Sequence, residues 1–263
     1  MNTHRQLLIT DRALSSSLER LSSGLRINRA ADDSAGLAIS QRLRSQVGGL
    51  MMASQNAEQA KNMVQTAEGF LNEVHNMLGR MRELAVQSAS DTVDATNRTS
   101  LYGEFQKLRA EIDRISTSAE YNNNFLLDGT FTDKQFQVGA NGETDNTITF
   151  SIEGVGSTDM GIDITDISTL TGAVAGMGEL TEAIDYVSTV RSGLGTIQNR
   201  LAYTVASVDN AAENLSSSES TIRDLDISSE ISTFTKSQIL VQAGMAMLAQ
   251  ANAAPQNVLA LFR

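Results

Sequence analysis

Near the start of the chain leucines recur at spacings of four, three and four residues, at Leu14, Leu18, Leu21 and Leu25, which places them on one stripe of an α-helix. The polar run Asn28–Asp33 interrupts that stripe. Asp32 or Asp33 is then suited to cap a new helix, because each offers a side-chain acceptor to the unpaired N–H groups of a first turn. The spacing predicts that this second helix runs to about Ser88, on a stripe of Ala57, Ala60, Val64, Ala67, Leu71, Val74, Leu78, Met81 and Ala85. Its alanines allow a partner helix to approach closely, while Leu and Met fill the remaining gaps. After a polar break at Ser88–Asp94, a third helix is predicted from Leu101, Phe105, Leu108, Ile112 and Ile115.

The period then shortens. Phe136–Val138 and Thr147–Ile152 flank Ala140-Asn141-Gly142-Glu143, and Asn-Gly is a strong hairpin turn signal. In the second run Ile148, Phe150 and Ile152 alternate with polar residues, as in a strand with one buried face. Ile162 and Ile164 suggest a further strand, and Gly172–Gly178 reads as a flexible connector. Helix returns with Leu194, Ile197, Leu201, Val205, Val208, Ala212, Leu215 and Ile222. Asp224 and Asp226 mark a break before a last helix carrying Ile227, Ile231, Phe234, Val241, Met245 and Leu248. The fold class is therefore mainly α: a long antiparallel bundle or coiled coil formed by both chain ends, with a small β-hairpin region in the middle. Antiparallel pairing of the ends would carry that β region to the far tip.

Composition sharpens this picture. With 263 residues, no Trp, no Cys, one Pro and 5% aromatics, Ala, Leu, Ile, Val and Met must supply the buried surface, as in narrow-seamed bundles. Zero Cys removes disulfides, thiolate metal sites and cysteine nucleophiles together. The net charge of −11 argues against a nucleic-acid partner. Ten acids face only Lys134 between Thr132 and Tyr186, so the acidic charge is concentrated in the middle, whereas the first fifty residues are net basic. No apolar run approaches the roughly 20 residues of a membrane span, and no signal-peptide core stands at the N-terminus. If the protein leaves the cell, a route without a cleaved signal carries it.

Candidate chemistry is sparse. His4 and His75 are far apart in sequence, and a zinc site needs three or four His, Cys or carboxylate ligands that this pattern does not gather. No nucleophile elbow is present, and the glycines at 48–49 and 172–178 lack the Lys-Ser/Thr of a phosphate-binding loop. Asp32 and Asp33 point about 100° apart on a helix, which favours capping over a catalytic pair. Asn97-Arg98-Thr99 and Asn214-Leu215-Ser216 match a three-residue glycosylation pattern too short to weigh. The sequence thus predicts no enzyme, no cofactor and no metal.

LSSGLRINRAADDSAGLAIS at Leu21–Ser40 closely resembles the N-terminal signature of bacterial flagellins, as does MRELAVQSAS at Met81–Ser90. The end is similar to the family too, with AENLSSSESTIRDLDISSEI at Ala212–Ile231 and ILVQAGMAMLAQANAAPQNVLALFR at Ile239–Arg263. Phe136–Asn141 looks like the start of the family's β region. Family members usually begin several residues earlier, with a segment like Ile-Asn-Thr-Asn, whereas this chain opens Met1-Asn2-Thr3-His4. The resemblance implies an inner terminal coiled-coil domain of about 1–33 with 224–263, and an outer helical domain of 34–223 with its β region at about 125–170. It implies a minimal member without large outer domains, whose function is to polymerise into the extracellular flagellar filament for motility. The alternative within the same machinery is a hook–filament junction protein. Implied partners are other copies of the chain, an export chaperone, the filament cap and junction proteins.

A terminal helix with one apolar stripe cannot bury it alone, and isolated helices of this length are marginal. Both ends are therefore expected to gain order on each other and on neighbouring subunits, which suits export as an unfolded chain and assembly at a distal tip. The expected assembly residues are Leu14, Leu18, Leu21, Leu25, Phe234, Val241, Met245 and Leu248, each worth roughly 1.5–3 kcal/mol if fully buried. Arg26, Arg29, Asp32 and Asp33 are expected to set registry where the domains meet, or else to act only as solvated caps. The resemblance also implies recognition by the flagellin-sensing Toll-like receptor through Arg80, Leu84 and Glu111, residues that would equally pack the filament interior.

Overall fold

The computed structural model describes residues 2–261, with side chains described for 4–251 and 253. The described residues form five helices: α1 (Asn2–Ser23), α2 (Ser34–Ser88), α3 (Ala95–Ser118), α4 (Leu170–Arg223) and α5 (Ile227–Leu261). Two antiparallel strand pairs lie between α3 and α4, β1 (Glu120–Tyr121) with β2 (Asn124–Phe125) and β3 (Lys134–Gln137) with β4 (Thr147–Phe150). The chain divides into two compact units, residues 1–47 with 212–263, and residues 48–211. The family resemblance implies divisions after about 33 and before 224.

The second unit owns the large core. Every position of the expected α2 stripe from Ala57 to Ala85 is buried. Phe105 and Ile112 of α3 are buried with them, and Leu101 and Leu108 pack at the margin. The α4 stripe begins earlier than expected, with Ala173, Leu180, Ala183, Val187 and Val190 buried ahead of Leu194 and Leu201. Gly172–Gly178 is therefore helix rather than connector. The physical reason is close approach: a Cβ on Gly172 would stand 2.2 Å from the Asp166 carbonyl oxygen, and one on Gly176 2.9 Å from Thr165 Cγ2. Small residues here admit the incoming chain rather than loosen the helix.

The expected strand at Ile162 and Ile164 does not form. Ile162 is buried, but its N–H donates to the Ser157 carbonyl at 2.9 Å in a turn, and Ile164 points outward, 81% exposed. The β3–β4 pair forms as expected, with Phe136 opposite Ile148, and Phe136 stacks on Phe150 at 5.0 Å between ring centres. Its connection is longer than the Asn-Gly signal implies: residues 138–146 intervene, including a short 3-10 turn at Thr144–Asn146. The tight two-residue hairpin lies instead between β1 and β2, where Asn122 and Asn123 take φ of 49° and 63°. Asparagine tolerates this left-handed backbone better than most residues, and the pairing of two such residues matches strand twist.

Arg98 closes the α2–α3 junction by donating to the Ser88 and Ser90 carbonyls, both at 2.8 Å, which satisfies carbonyls left over at the end of α2. Asp94 caps α3 by accepting from the Asn97 N–H at 2.7 Å.

Candidate assembly surface

In the first unit α1 lies against α5. The seam follows a heptad on both helices: Leu7, Thr10, Leu14, Ser17 and Leu21 on one, Glu230, Phe234, Ser237, Val241, Gly244 and Leu248 on the other. Only Ser17 and Ser237 in this set are fully buried, so the seam is thin and partly polar. Gly244 permits the close approach, since a Cβ there would lie 2.9 Å from Leu7 Cδ1.

This register corrects part of the expected stripe. Leu14, Leu21, Phe234, Val241 and Leu248 face the seam, but Leu18 and Met245 lie outside it, 58% and 52% exposed. Leu25 is beyond the end of α1 and partly buried in the segment that follows. The four-three-four spacing of the leucines is real, yet the seam takes positions 14 and 21 with Ser17 between them. A serine on the interface breaks the rule that the largest apolar residue marks the buried face.

Ser17 has a specific role. Its hydroxyl donates to Glu230 Oε1 at 2.5 Å, and Arg20 Nη1 stands 4.0 Å from the other carboxylate oxygen. The Nε atoms of Arg20 and Arg223 are buried without a hydrogen-bond partner. Shifting the pairing would strand the Glu230 charge among apolar neighbours, so this layer selects one register.

The segment after α1 is tied to the end of α4. Gly24 takes φ 71° and its carbonyl accepts from the Leu225 N–H at 3.0 Å, while the Arg26 N–H donates to the Arg223 carbonyl at 2.7 Å. The Arg26 guanidinium donates to the Ile222 carbonyl. Arg29 pairs with Glu19 at 2.9 Å. Asp32 accepts from the N–H groups of Arg29 and Asn28 at 2.9 and 3.2 Å, and those two bonds hold its carboxyl below the usual carboxylate range. Asp33 caps α2 by accepting from the Gly36 N–H at 2.8 Å. The structure thus gives each of these four residues an intrachain partner in the same short region.

Exposed apolar side chains flank the seam on both sides. Leu8, Ile9 and Leu18 on α1, and Ile231, Leu240 and Met247 on α5, are all close to half exposed or more. A shallow groove of about 320 Å³ opens where Leu7 and Thr10 meet Leu240, Gly244 and Met247. Sequence periodicity signals one apolar stripe per helix. It misses these flanking residues because Leu8, Ile9 and Leu240 fall between stripe positions.

The second unit places the remaining candidates differently from one another. Arg80 is exposed and bridges Glu83 at 3.0 Å and Glu104 of α3 at 2.9 Å. Glu111 is partly exposed and ion-paired with Arg114, whose hydrogen bonds hold its carboxyl below the ordinary value. Leu84, by contrast, is 0% exposed, so it belongs to the core and not to a contact surface with Arg80. The helical stripe explains this, because Leu84 lies three residues from buried Met81. Burial, with the Glu153 and Asp159 charges behind it, pushes the Tyr186 phenol up to about 12, and its hydroxyl donates to the Gly154 carbonyl at 3.0 Å. Among the described residues no group of three or more His, Cys, Asp or Glu could hold a metal ion, and no helix is long and apolar enough to cross a membrane.

Residues 1–132 match the family described as the bacterial flagellin N-terminal helical region, and residues 177–262 match the bacterial flagellin C-terminal helical region. The chain is 45% identical to a flagellin of Halalkalibacterium halodurans over 263 residues, covering 100% of this chain and 97% of that one. It is 42% identical to a flagellin of Bacillus subtilis, again over 100% and 97% of the two chains. Among solved structures it is similar to the crystal structure of Bacillus cereus flagellin, with a TM-score of 0.53 and 27% identity over 59% of this chain and 88% of that one.

Proposed function

From the premise that the chain belongs to the bacterial flagellin family and is a structural subunit of the flagellar filament, we propose that the α1–α5 pair is the part that joins one subunit to the next. The carrying observation is the set of exposed apolar side chains that flank a thin seam. Leu8, Ile9, Leu18, Ile231, Leu240 and Met247 stand in water in the single chain, and this many exposed large apolar side chains on one helix pair mark an interaction site. A second copy offers the same face, and head-to-tail contacts that do not close on themselves yield a helical polymer.

On this reading the inner domain is 1–33 with 224–263 and the outer domain 34–223. Leu18 and Met245 serve contacts between subunits, while Leu14, Leu21, Phe234, Val241 and Leu248 serve contacts within one. Arg26, Arg29, Asp32 and Asp33 fix the chain where it leaves α1, and through it the registry of neighbours. The subunit is secreted unfolded, meets an export chaperone, and adds at the distal tip beneath a cap, beyond junction proteins. Full-length identity to flagellins favours the bulk filament over a hook–filament junction role.

The test is Ile9→Asp combined with Leu240→Asp, followed by negative-stain microscopy after adding filament seeds. A buried charge without a partner costs several kcal/mol, so no elongation is expected while the second unit keeps its thermal transition. Seeded filaments of normal length and yield would refute the assignment. Receptor recognition would rest on exposed Arg80 and partly exposed Glu111, with Leu84 buried in the core. Arg80→Ala is expected to weaken Toll-like receptor signalling, and unchanged signalling removes the claim.

A further inference from the structure

The Asn141-Gly142 pair is not used as the turn its sequence suggests. Gly142 is absent from the glycines of positive φ, which are Gly24, Gly129 and Gly161. A Cβ added to it would meet nothing within 4 Å. Neither backbone conformation nor packing therefore requires glycine here. Both residues are exposed, in the irregular stretch that precedes the 3-10 turn. The Asn141 carbonyl is held by Gln137 Nε2 at 2.6 Å, but among the described residues no hydrogen bond engages its side-chain amide or the Gly142 N–H.

That is the arrangement in which an asparagine side chain reacts with its own backbone. We propose that Asn141 is a site of spontaneous deamidation and isoaspartate formation, so that the β3–β4 connection acquires negative charge with age. The Gly142 nitrogen attacks Asn141 Cγ, forming an N–Cγ bond. The Cγ–Nδ2 bond breaks, and ammonia leaves with the proton given up by the Gly142 nitrogen. One water then opens the resulting succinimide. Cleavage at Cγ gives an aspartate, and cleavage at the original backbone carbonyl gives an isoaspartate with one extra methylene in the main chain. One water enters and one ammonia leaves, without oxidant or reductant.

Glycine matters because it presents no side chain to hinder the attacking nitrogen. The other asparagines of this region are less suited. Asn122 and Asn123 are each followed by asparagine and are fixed in the left-handed turn, and Asn146 precedes a β-branched threonine. The new carboxylate would join the exposed Glu143 and Asp145, adding repulsion to an already acidic stretch. If the proposed function holds, a subunit in an extracellular polymer stays beyond cytosolic repair, so older filament would carry more of the product.

The test is incubation of the full-length monomer in warm, mildly alkaline buffer, with peptide mapping by mass spectrometry and an isoaspartate assay. The expected result is conversion at Asn141 ahead of every other asparagine, severalfold slower in Gly142→Ala, and absent in Asn141→Gln. Gly142→Ala is expected to fold normally because its site is open and its φ ordinary. A short peptide spanning residues 138–146 serves as control. Conversion of the peptide but not of the folded chain would overturn the proposal, as would conversion of the folded chain elsewhere first. The monomer experiment does not depend on polymerisation, so its outcome stands whether or not the chain assembles through α1 and α5.

Discussion

Leu14 and Leu21 offer the sharpest access to the α1–α5 seam. Both face α5 and both are partly, not fully, buried in the single chain. A leucine-to-alanine change costs about 2–5 kcal/mol in a rigid core, and a seam this thin can relax, so the low end of about 2 kcal/mol applies to each. Seven helical residues separate them, about 10 Å along α1 at the usual rise, which is far enough for the two losses to add to about 4 kcal/mol. At about 1.4 kcal/mol per factor of ten, Leu14→Ala with Leu21→Ala should lower the paired population of the two helices roughly a thousandfold. Hydrogen exchange read by mass spectrometry is the direct assay, because it reports each helix separately. Amides of α1 and α5 should lose protection to that extent, while those of α2 between Ala57 and Ala85 keep theirs, since their core contains no residue of the seam. Seeded growth should fail in the same variant. Unchanged protection in α1 and α5 would refute the seam, and equal loss in the second unit would refute its independence.

Other outcomes follow from single residues. Asp33→Ala removes the α2 cap and should destabilise the first unit by about 1 kcal/mol, read as a lowered denaturation midpoint, while Asp33→Asn should retain most of it. Leu78→Ala, at a wholly buried position, should cost the second unit about 2–5 kcal/mol and lower its melting temperature without altering exchange in α5. Because the Tyr186 pKa is raised to about 12 from 10.0, the folded state retains the proton longer than the unfolded one. Its contribution should be intact below about pH 10 and lost as pH rises toward about 12. The late phase of a tyrosinate absorbance titration should vanish in Tyr186→Phe, and its persistence would assign it elsewhere. Glu230→Gln keeps the hydrogen bond to Ser17 but removes the charge, so it should perturb pairing less than Glu230→Leu, which leaves Ser17 unsatisfied.

The helices were largely legible because α2 and α3 are driven by burial, and burial prints its period directly. Ala57 to Ala85 and Leu101 to Ile115 could be placed on the core face from spacing alone. The start of α4 was not, because Gly172 and Gly176 serve close packing against 165–167, a tertiary demand that carries no local signature. Ile162 and Ile164 alternate as a strand would, yet no neighbouring strand accepts their backbone. On the assembly surface, a cap by Asp32 or Asp33 was visible in the carboxylates that end the polar run, and the Gly36 N–H gives that role to Asp33. The buried position of Ser17 was not, because a serine beside leucines reads as surface until its partner Glu230, far along the chain, is known. The burial of Leu84 was not legible from the family motif, because a motif carried over by resemblance says nothing about which way a side chain faces.

The tie between Gly24–Arg26 and Arg223–Leu225 joins segments about two hundred residues apart, and every α1–α5 contact spans at least as far. Closing so long a loop is entropically slow to begin, and contacts of large sequence separation form late. The second unit closes shorter loops, with strand pairs between near neighbours and an α2–α4 bond from Gln198 to Glu68 across 130 residues, and can therefore mature first. A chain emerging end-first has only one half of the tie available until nearly all of it has come through. Order of synthesis or passage is thereby converted into order of folding, and the sticky pair is the last element to become competent.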